Sequence, residues 1–150
     1  MERTYITNDA VEVLHDLASR RSDKEIKVES DRIYKVLKAD LQDVMEGKDD
    51  IRIMRVIDRK IGKTYSLIRL ACEYNLPIVS HENLRRMYED QAQYEFGEEI
   101  NVIPVRKGGR VKVERCDIVL KDEGVSVQEI TDHFWPRKVK IVGISSIYES

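Results

Sequence analysis

A Gly-Lys-Thr turn between an extended apolar segment and an amphipathic helix is the strongest constraint on how this chain folds. The turn is Ile57-Asp58-Arg59-Lys60-Ile61-Gly62-Lys63-Thr64. Ahead of it, Ile51-Arg52-Ile53-Met54-Arg55-Val56-Ile57 has the β-branched, alternating-to-continuous apolar character of a strand buried in a sheet. Behind it, Leu67, Ile68, Ala71 and Cys72 recur at i, i+1, i+4 and i+5, which puts one apolar stripe on a helix. Asn75 stands where a left-handed C-terminal cap belongs, and Pro77 prevents continuation. A chain of this length holds Gly-Lys-Ser/Thr by accident roughly one time in ten, so it is the flanking strand and helix that give the tripeptide weight.

In such a strand-turn-helix unit the backbone N–H groups of residues 60 to 65 converge at a helix N-terminus. Unpaired donors and the macrodipole there favour an anionic phosphate. Lys63 then reaches the β- and γ-phosphates of a nucleoside triphosphate, and the Thr64 hydroxyl ligates Mg²⁺. Arg59, Lys60, Ile61, Gly62 and Tyr65 complete the cradle. Ile57 occupies the first-glycine position, and a β-branched residue resists positive φ, so the loop is expected to begin extended and to turn around Asp58 to Lys60. The Tyr65 ring is placed to crowd the α-phosphate or to stack on a base.

A second stretch, Asp117-Ile118-Val119-Leu120-Lys121-Asp122-Glu123-Gly124, is a short apolar strand ending in two acids. A carboxylate at a strand end can hold Mg²⁺, and its neighbour can orient and deprotonate an attacking water. Asp122 is assigned the first role and Glu123 the second. Without the turn at Gly62, Asp-Glu-Gly would read as a solvated turn leaving a strand.

Together these residues resemble the P-loop NTPases of the branch with an additional catalytic glutamate, over residues 51 to about 146. Arg59-Lys60-Ile61-Gly62-Lys63-Thr64 is similar to the Arg-Gln-x-Gly-Lys-Thr variant of viral terminase ATPase cores and small phage-encoded ATPases. Ile118-Val119-Leu120-Lys121-Asp122-Glu123 resembles their apolar-apolar-apolar-x-Asp-Glu motif. Lys138-Val139-Lys140-Ile141-Val142-Gly143-Ile144 runs into Ser145-Ser146, which places Ser145 at a sensor position. The resemblance implies ATP and Mg²⁺ as cofactors, slow ATP hydrolysis, and a cytoplasmic setting, the host cytoplasm for a phage protein. It also implies that an arginine finger comes from another subunit, since no later segment offers one.

The alternation of strand and helix argues an α/β domain of three layers with a mainly parallel sheet, preceded by an N-terminal helical segment, and the resemblance implies about five strands. Glu46-Gly47-Lys48-Asp49-Asp50 makes a polar break, dividing residues 1–50, helical and packed on the core, from the domain at 51–150. Asp9 with Glu12 has capping-box spacing, ahead of Val11, Leu14, Leu17 and Ala18. Ile33, Tyr34, Leu37, Leu41, Val44 and Met45 recur at helical spacing. Leu76 to Ser80 and Ile100 to Val105 read as strands. Between them Leu84, Met87, Tyr88 and Gln91 mark a helix ended by Gly97, with Met87 and Tyr88 as core fillers. Ser126-Val127-Gln128-Glu129 is a second capping box for a helix filled by Val127, Ile130 and Phe134 and stopped by Pro136. Trp135 is expected to pack at that helix end, or, if exposed beside Arg137 and Lys138, to meet a partner.

A net charge of −2 with 36% charged residues carries no overall nucleic-acid footprint. The cations Arg106, Lys107 and Arg110 on a glycine turn read as a solvated tip, and failing that as a phosphate-backbone contact. No apolar run is long enough to span a membrane. Cys72 and Cys116 read as buried free thiols, and the three histidines lack metal-ligand spacing. Three functions stay open: an ATP-Mg²⁺ binding protein that hydrolyses slowly, assisted by a homo-oligomer or nucleic acid; a non-catalytic module of the same shape that binds a protein partner; and a nucleic-acid accessory factor.

Overall fold

The structure, a computed structural model, describes residues 23–56, 62–105 and 117–146. Within them the chain runs α1 (Asp23–Met45), β1 (Ile51–Val56), α2 (Lys63–Tyr74), β2 (Ile78–His81), α3 (Glu82–Phe96), β3 (Val102–Val105), β4 (Ile118–Lys121), α4 (Val127–Phe134) and β5 (Lys140–Ser146). All five strands pair in parallel, in the order β1-β5-β4-β2-β3. The expected three-layer α/β architecture is therefore present. The helix at Asp9, the cation turn at Arg106, Lys107 and Arg110, and Cys116 lie outside the described residues.

Topology explains the layers. From β1 through β2 to β3 the chain moves one way across the sheet, and from β4 to β5 it moves back. Right-handed crossovers put the helices of opposite runs on opposite faces. Period-2 alternation then sorts the strand side chains. Ile78, Val102, Leu120, Val142 and Ile144 share a core with α1, α2 and α3, whereas Val79, Ile103, Val119 and Ile141 share one with Ile130 and Phe134 of α4. Leu37, Leu41 and Val44 of α1 are fully buried in the larger core, each contributing about 1.5–3 kcal/mol by leaving water.

The helix ends follow local chemistry. Asn75 caps α2 at φ 53°, its N–H donating to the Ala71 carbonyl. The capping box of α4 closes both ways: the Glu129 N–H donates to Ser126 Oγ at 3.0 Å, and the Ser126 N–H to Glu129 Oε1 at 3.2 Å.

Four expectations need correction. β1 is an edge strand among the described residues, paired only with β5, and Ile51 is 46% exposed. Its apolar run arises because Ile53 packs on one core and Met54 and Val56 on the other. Met45 and Met87 are exposed, since the adjacent Val44 and Tyr88 occupy the inward positions. Trp135 is 73% exposed and does not pack at the helix end, where Phe134 fills the core instead.

Helices α1 and α2 approach closely at small residues. Ser66 Oγ donates to the Ser30 carbonyl at 2.8 Å, and a Cβ on Gly62, whose φ is +64°, would stand 2.6 Å from Ser30 Cβ. Gly47 has a similar φ of +79° but open space around it. Gly47→Ala is therefore expected to cost about 1–2 kcal/mol of backbone strain. Gly62→Ala adds about 1–3 kcal/mol of overpacking to the same strain; equal losses in denaturant melts would contradict the close approach.

His133 lies in the last turn of α4, where the helix dipole favours a cation. Both of its ring nitrogens nevertheless lack partners and water contact, and burial holds its pKa below the ordinary 6.5. The unfolded chain thus takes up this proton at a higher pH than the folded one, and the stability that neutral His133 permits is lost as pH falls through about 6.5. Denaturant melts at pH 7.5 and pH 5 are expected to show a smaller acid-induced loss in His133→Leu than in the wild type.

Candidate functional site

A parallel sheet brings the C-terminal ends of its strands to one edge, and ligand crevices form there. At this edge α2 begins without a side-chain cap and with no acidic residue in its first turn. Its first intrahelical bond runs from the Ser66 N–H to the Gly62 carbonyl at 2.9 Å, so helical geometry leaves the N–H groups of Lys63, Thr64 and Tyr65 without intrahelical acceptors. The positive φ that turns the chain into the helix falls at Gly62 itself. Arg59, Lys60 and Ile61, with the turn expected around Asp58, lie outside the described residues.

Lys63 is 6% exposed, and its Nζ donates to Glu123 Oε2 at 2.9 Å across 60 positions of sequence. The two motifs thus meet, although β5 lies between the strands that carry them. A charged hydrogen bond of this length, with one partner nearly buried, is stronger than a surface pair.

Asp122, one residue past β4, is held on nearly every polar atom. Its N–H donates to the Val79 carbonyl at 3.2 Å, and its carbonyl accepts from Lys121 Nζ at 3.0 Å and from the Val125 N–H at 3.3 Å. Its Oδ1 accepts from the Tyr88 hydroxyl at 2.6 Å and from the Glu123 N–H at 2.7 Å. Asp122 is only 8% exposed, yet Oδ2 has no partner. An unsatisfied buried polar atom costs about 1–3 kcal/mol, more when charged. A cation at Oδ2 would relieve that cost; among the described residues no group of three His, Cys, Asp or Glu is placed to hold a metal, and a single carboxylate fits Mg²⁺ only in its mode of binding through one or two carboxylates together with substrate phosphates.

Tyr88 was expected only to fill the core. It does so at 1% exposure, but its phenol also donates to the Asp122 carboxylate at 2.6 Å. Burial first, and then the Asp122 charge, raises the Tyr88 pKa far above the ordinary phenol value and keeps it a donor. No spacing signal marked this residue, because α3 reaches the site only through packing. Lys121 is the second residue that pattern reading passed over. A lysine inside an apolar strand was the available signal, and in the structure it is fully buried, donating to the Ile144 carbonyl at 2.7 Å and to Ser145 Oγ at 2.8 Å. Ser145, expected as a sensor, thus has its hydroxyl on Lys121. His81, at the end of β2, donates from Nε2 to the Gly124 carbonyl at 2.8 Å and steadies the acidic turn. The Tyr65 ring packs on Phe96 with centroids 5.1 Å apart, which places it on α3 and leaves its backbone N–H as its contribution to an anion site.

Lys63, Asp122 and Glu123 are therefore gathered in one place, with Thr64 next to Lys63 on α2, while Arg106, Lys107 and Arg110 lie outside the described residues. The Cys72 thiol is free, and burial followed by the charge of Glu98 pushes its pKa up to about 11, so it is no nucleophile at neutral pH. Among the described residues, no helix is long and apolar enough to cross a membrane. No protein-family model matches the chain, and neither the curated proteins nor the solved structures give a match to it.

Removing one partner of a nearly buried ion pair is worse than removing both. Glu123→Gln leaves the Lys63 ammonium with a neutral partner and is expected to lower unfolding free energy by roughly 1–3 kcal/mol. The double variant Lys63→Met with Glu123→Gln is expected to recover most of that loss, as read from a double-mutant cycle; simple additivity would show that the two side chains do not interact.

Proposed function

We propose that this chain binds a nucleoside triphosphate with Mg²⁺ at the N-terminus of α2 and hydrolyses it slowly. The observation that carries the reading is the meeting of the Lys63–Glu123 pair with a buried carboxylate oxygen of Asp122 that lacks a partner. Residues distant in sequence supply an ammonium, an uncapped helix N-terminus and two acids at one edge of the sheet. That is the equipment phosphoryl transfer requires, since its catalysis is chiefly positioning and charge stabilisation. The resemblance of the Gly62-Lys63-Thr64 turn and the Asp122-Glu123 strand end to P-loop NTPases points the same way.

In this reading the N–H groups of Lys63, Thr64 and Tyr65 and the Lys63 ammonium bind the phosphate oxygens. Asp122 Oδ2 and the Thr64 hydroxyl hold Mg²⁺, which neutralises phosphate charge when bound. Glu123 leaves Lys63 as phosphate takes its place, and its carboxylate then orients a water and accepts a proton from it. Breaking the Lys63–Glu123 contact on binding offsets part of the gain from phosphate, so weak binding is expected. ATP is the nucleotide implied by the resemblance.

A second reading is favoured by the same ion pair. If Glu123 permanently occupies Lys63, the chain is a non-catalytic module of this shape, and the exposed Trp135 and Tyr94 offer contact area to a protein partner.

Calorimetric titration of ATP with Mg²⁺ separates the two. Nucleotide binding is expected for the wild type. Loss of a charged hydrogen bond worth about 1.5–3 kcal/mol in Lys63→Ala weakens it roughly ten- to a hundredfold. Glu123→Gln is expected to retain binding while turnover drops roughly a hundred- to ten-thousandfold. No Lys63-dependent heat would discard the nucleotide reading in favour of the interaction module.

A further inference from the structure

We propose that Tyr88 is a positioning residue that makes Asp122 a one-oxygen ligand and so selects Mg²⁺ over Ca²⁺. The inference rests on the reading of this place as a cation-nucleotide site.

The direction of the hydrogen bonds carries the argument. Asp122 Oδ1 has two acceptor lone pairs, and two donors take them, the Tyr88 hydroxyl at 2.6 Å and the Glu123 N–H at 2.7 Å. Oδ2 is buried away from solvent and has no partner. Only Oδ2 is left to meet a cation. One phenol thus leaves Asp122 a single unpartnered oxygen as an acceptor for a cation. At 1% exposure the Tyr88 ring is locked by its packing, so the arrangement exists before any ligand arrives.

Cation chemistry turns this geometry into selectivity. Ca²⁺ takes about six to eight oxygens at roughly 2.3–2.6 Å and readily uses both oxygens of one carboxylate; Mg²⁺ demands an octahedron at roughly 2.0–2.1 Å, with single carboxylate oxygens, waters and phosphates. An aspartate with Oδ1 withdrawn offers nothing to a two-oxygen mode. Tyr88→Phe frees one lone pair of Oδ1, loosens the carboxylate, and lets it turn both oxygens toward the larger ion.

The test titrates MgCl₂ and CaCl₂ separately into the wild type, Tyr88→Phe and Asp122→Asn, alone and with a non-hydrolysable ATP analogue. The wild type is expected to prefer Mg²⁺, and Asp122→Asn to lose both ions. In Tyr88→Phe, Mg²⁺ affinity drops by roughly tenfold or more, as for other lost partners of metal ligands, while Ca²⁺ affinity holds or rises, so the preference shrinks by the same factor. Asp122-dependent Mg²⁺ binding in the wild type with an unchanged Mg²⁺/Ca²⁺ ratio in Tyr88→Phe would overturn the role of Tyr88 and leave the nucleotide site standing. No Asp122-dependent cation binding by the wild type would bring both down. If Tyr88→Phe does not fold, infrared difference spectra of the wild type against Asp122→Asn decide the matter: a one-oxygen carboxylate signature on adding Mg²⁺ supports the inference, and a chelating signature refutes it.

Discussion

Parallel pairing delivers the C-terminal end of every strand to the same edge, so turns distant in sequence arrive side by side. The contact between Lys63 and Glu123 depends on this constraint. One residue opens α2 after β1 and the other follows β4, with β5 inserted between those strands. An antiparallel neighbour would have carried one of the two turns to the opposite edge.

Rigidity at that edge is bought with backbone hydrogen bonds. The Asp122 N–H is tied to β2, its carbonyl to Lys121 and Val125, and its Oδ1 to Tyr88 and Glu123. Lys121 extends the network to the Ile144 carbonyl and to Ser145, so β4 and β5 share one ammonium at their ends. A fully buried lysine would be expensive without such acceptors. Against this background Asp122 Oδ2 stands out, being buried without a partner on a carboxylate that is otherwise held still.

The other face of α2 follows a different rule. There, Ser30, Gly62 and Ser66 let two helix backbones approach, and flanking groups seal the seam, with the Arg69 guanidinium 3.8 Å from the centre of the Tyr34 ring and 2.9 Å from Asp31. Gly62 therefore serves both the turn and the packing of α1. A helix outside the strand-turn-helix unit thus helps fix the start of α2, and through it the position of Lys63.

Local pattern determined what local chemistry decides. The αL cap at Asn75, the capping box at Ser126, the stripes on α1 and α2, and the strand ending at Asp122-Glu123 are all properties of a few neighbouring residues, and each was legible without coordinates. The Gly62-Lys63-Thr64 turn and the Asp122-Glu123 strand end were also singled out by short local signatures, and the structure brings Lys63 and Glu123 into contact. Tertiary structure alone decided the rest: that β1 lies at an edge, that Tyr88 reaches Asp122, that the Lys121 ammonium is buried against β5, and that Tyr65 turns to Phe96. The physical reason is that strand order and side-chain meetings between elements depend on which faces pack together. No window of a dozen residues contains both partners of such a contact.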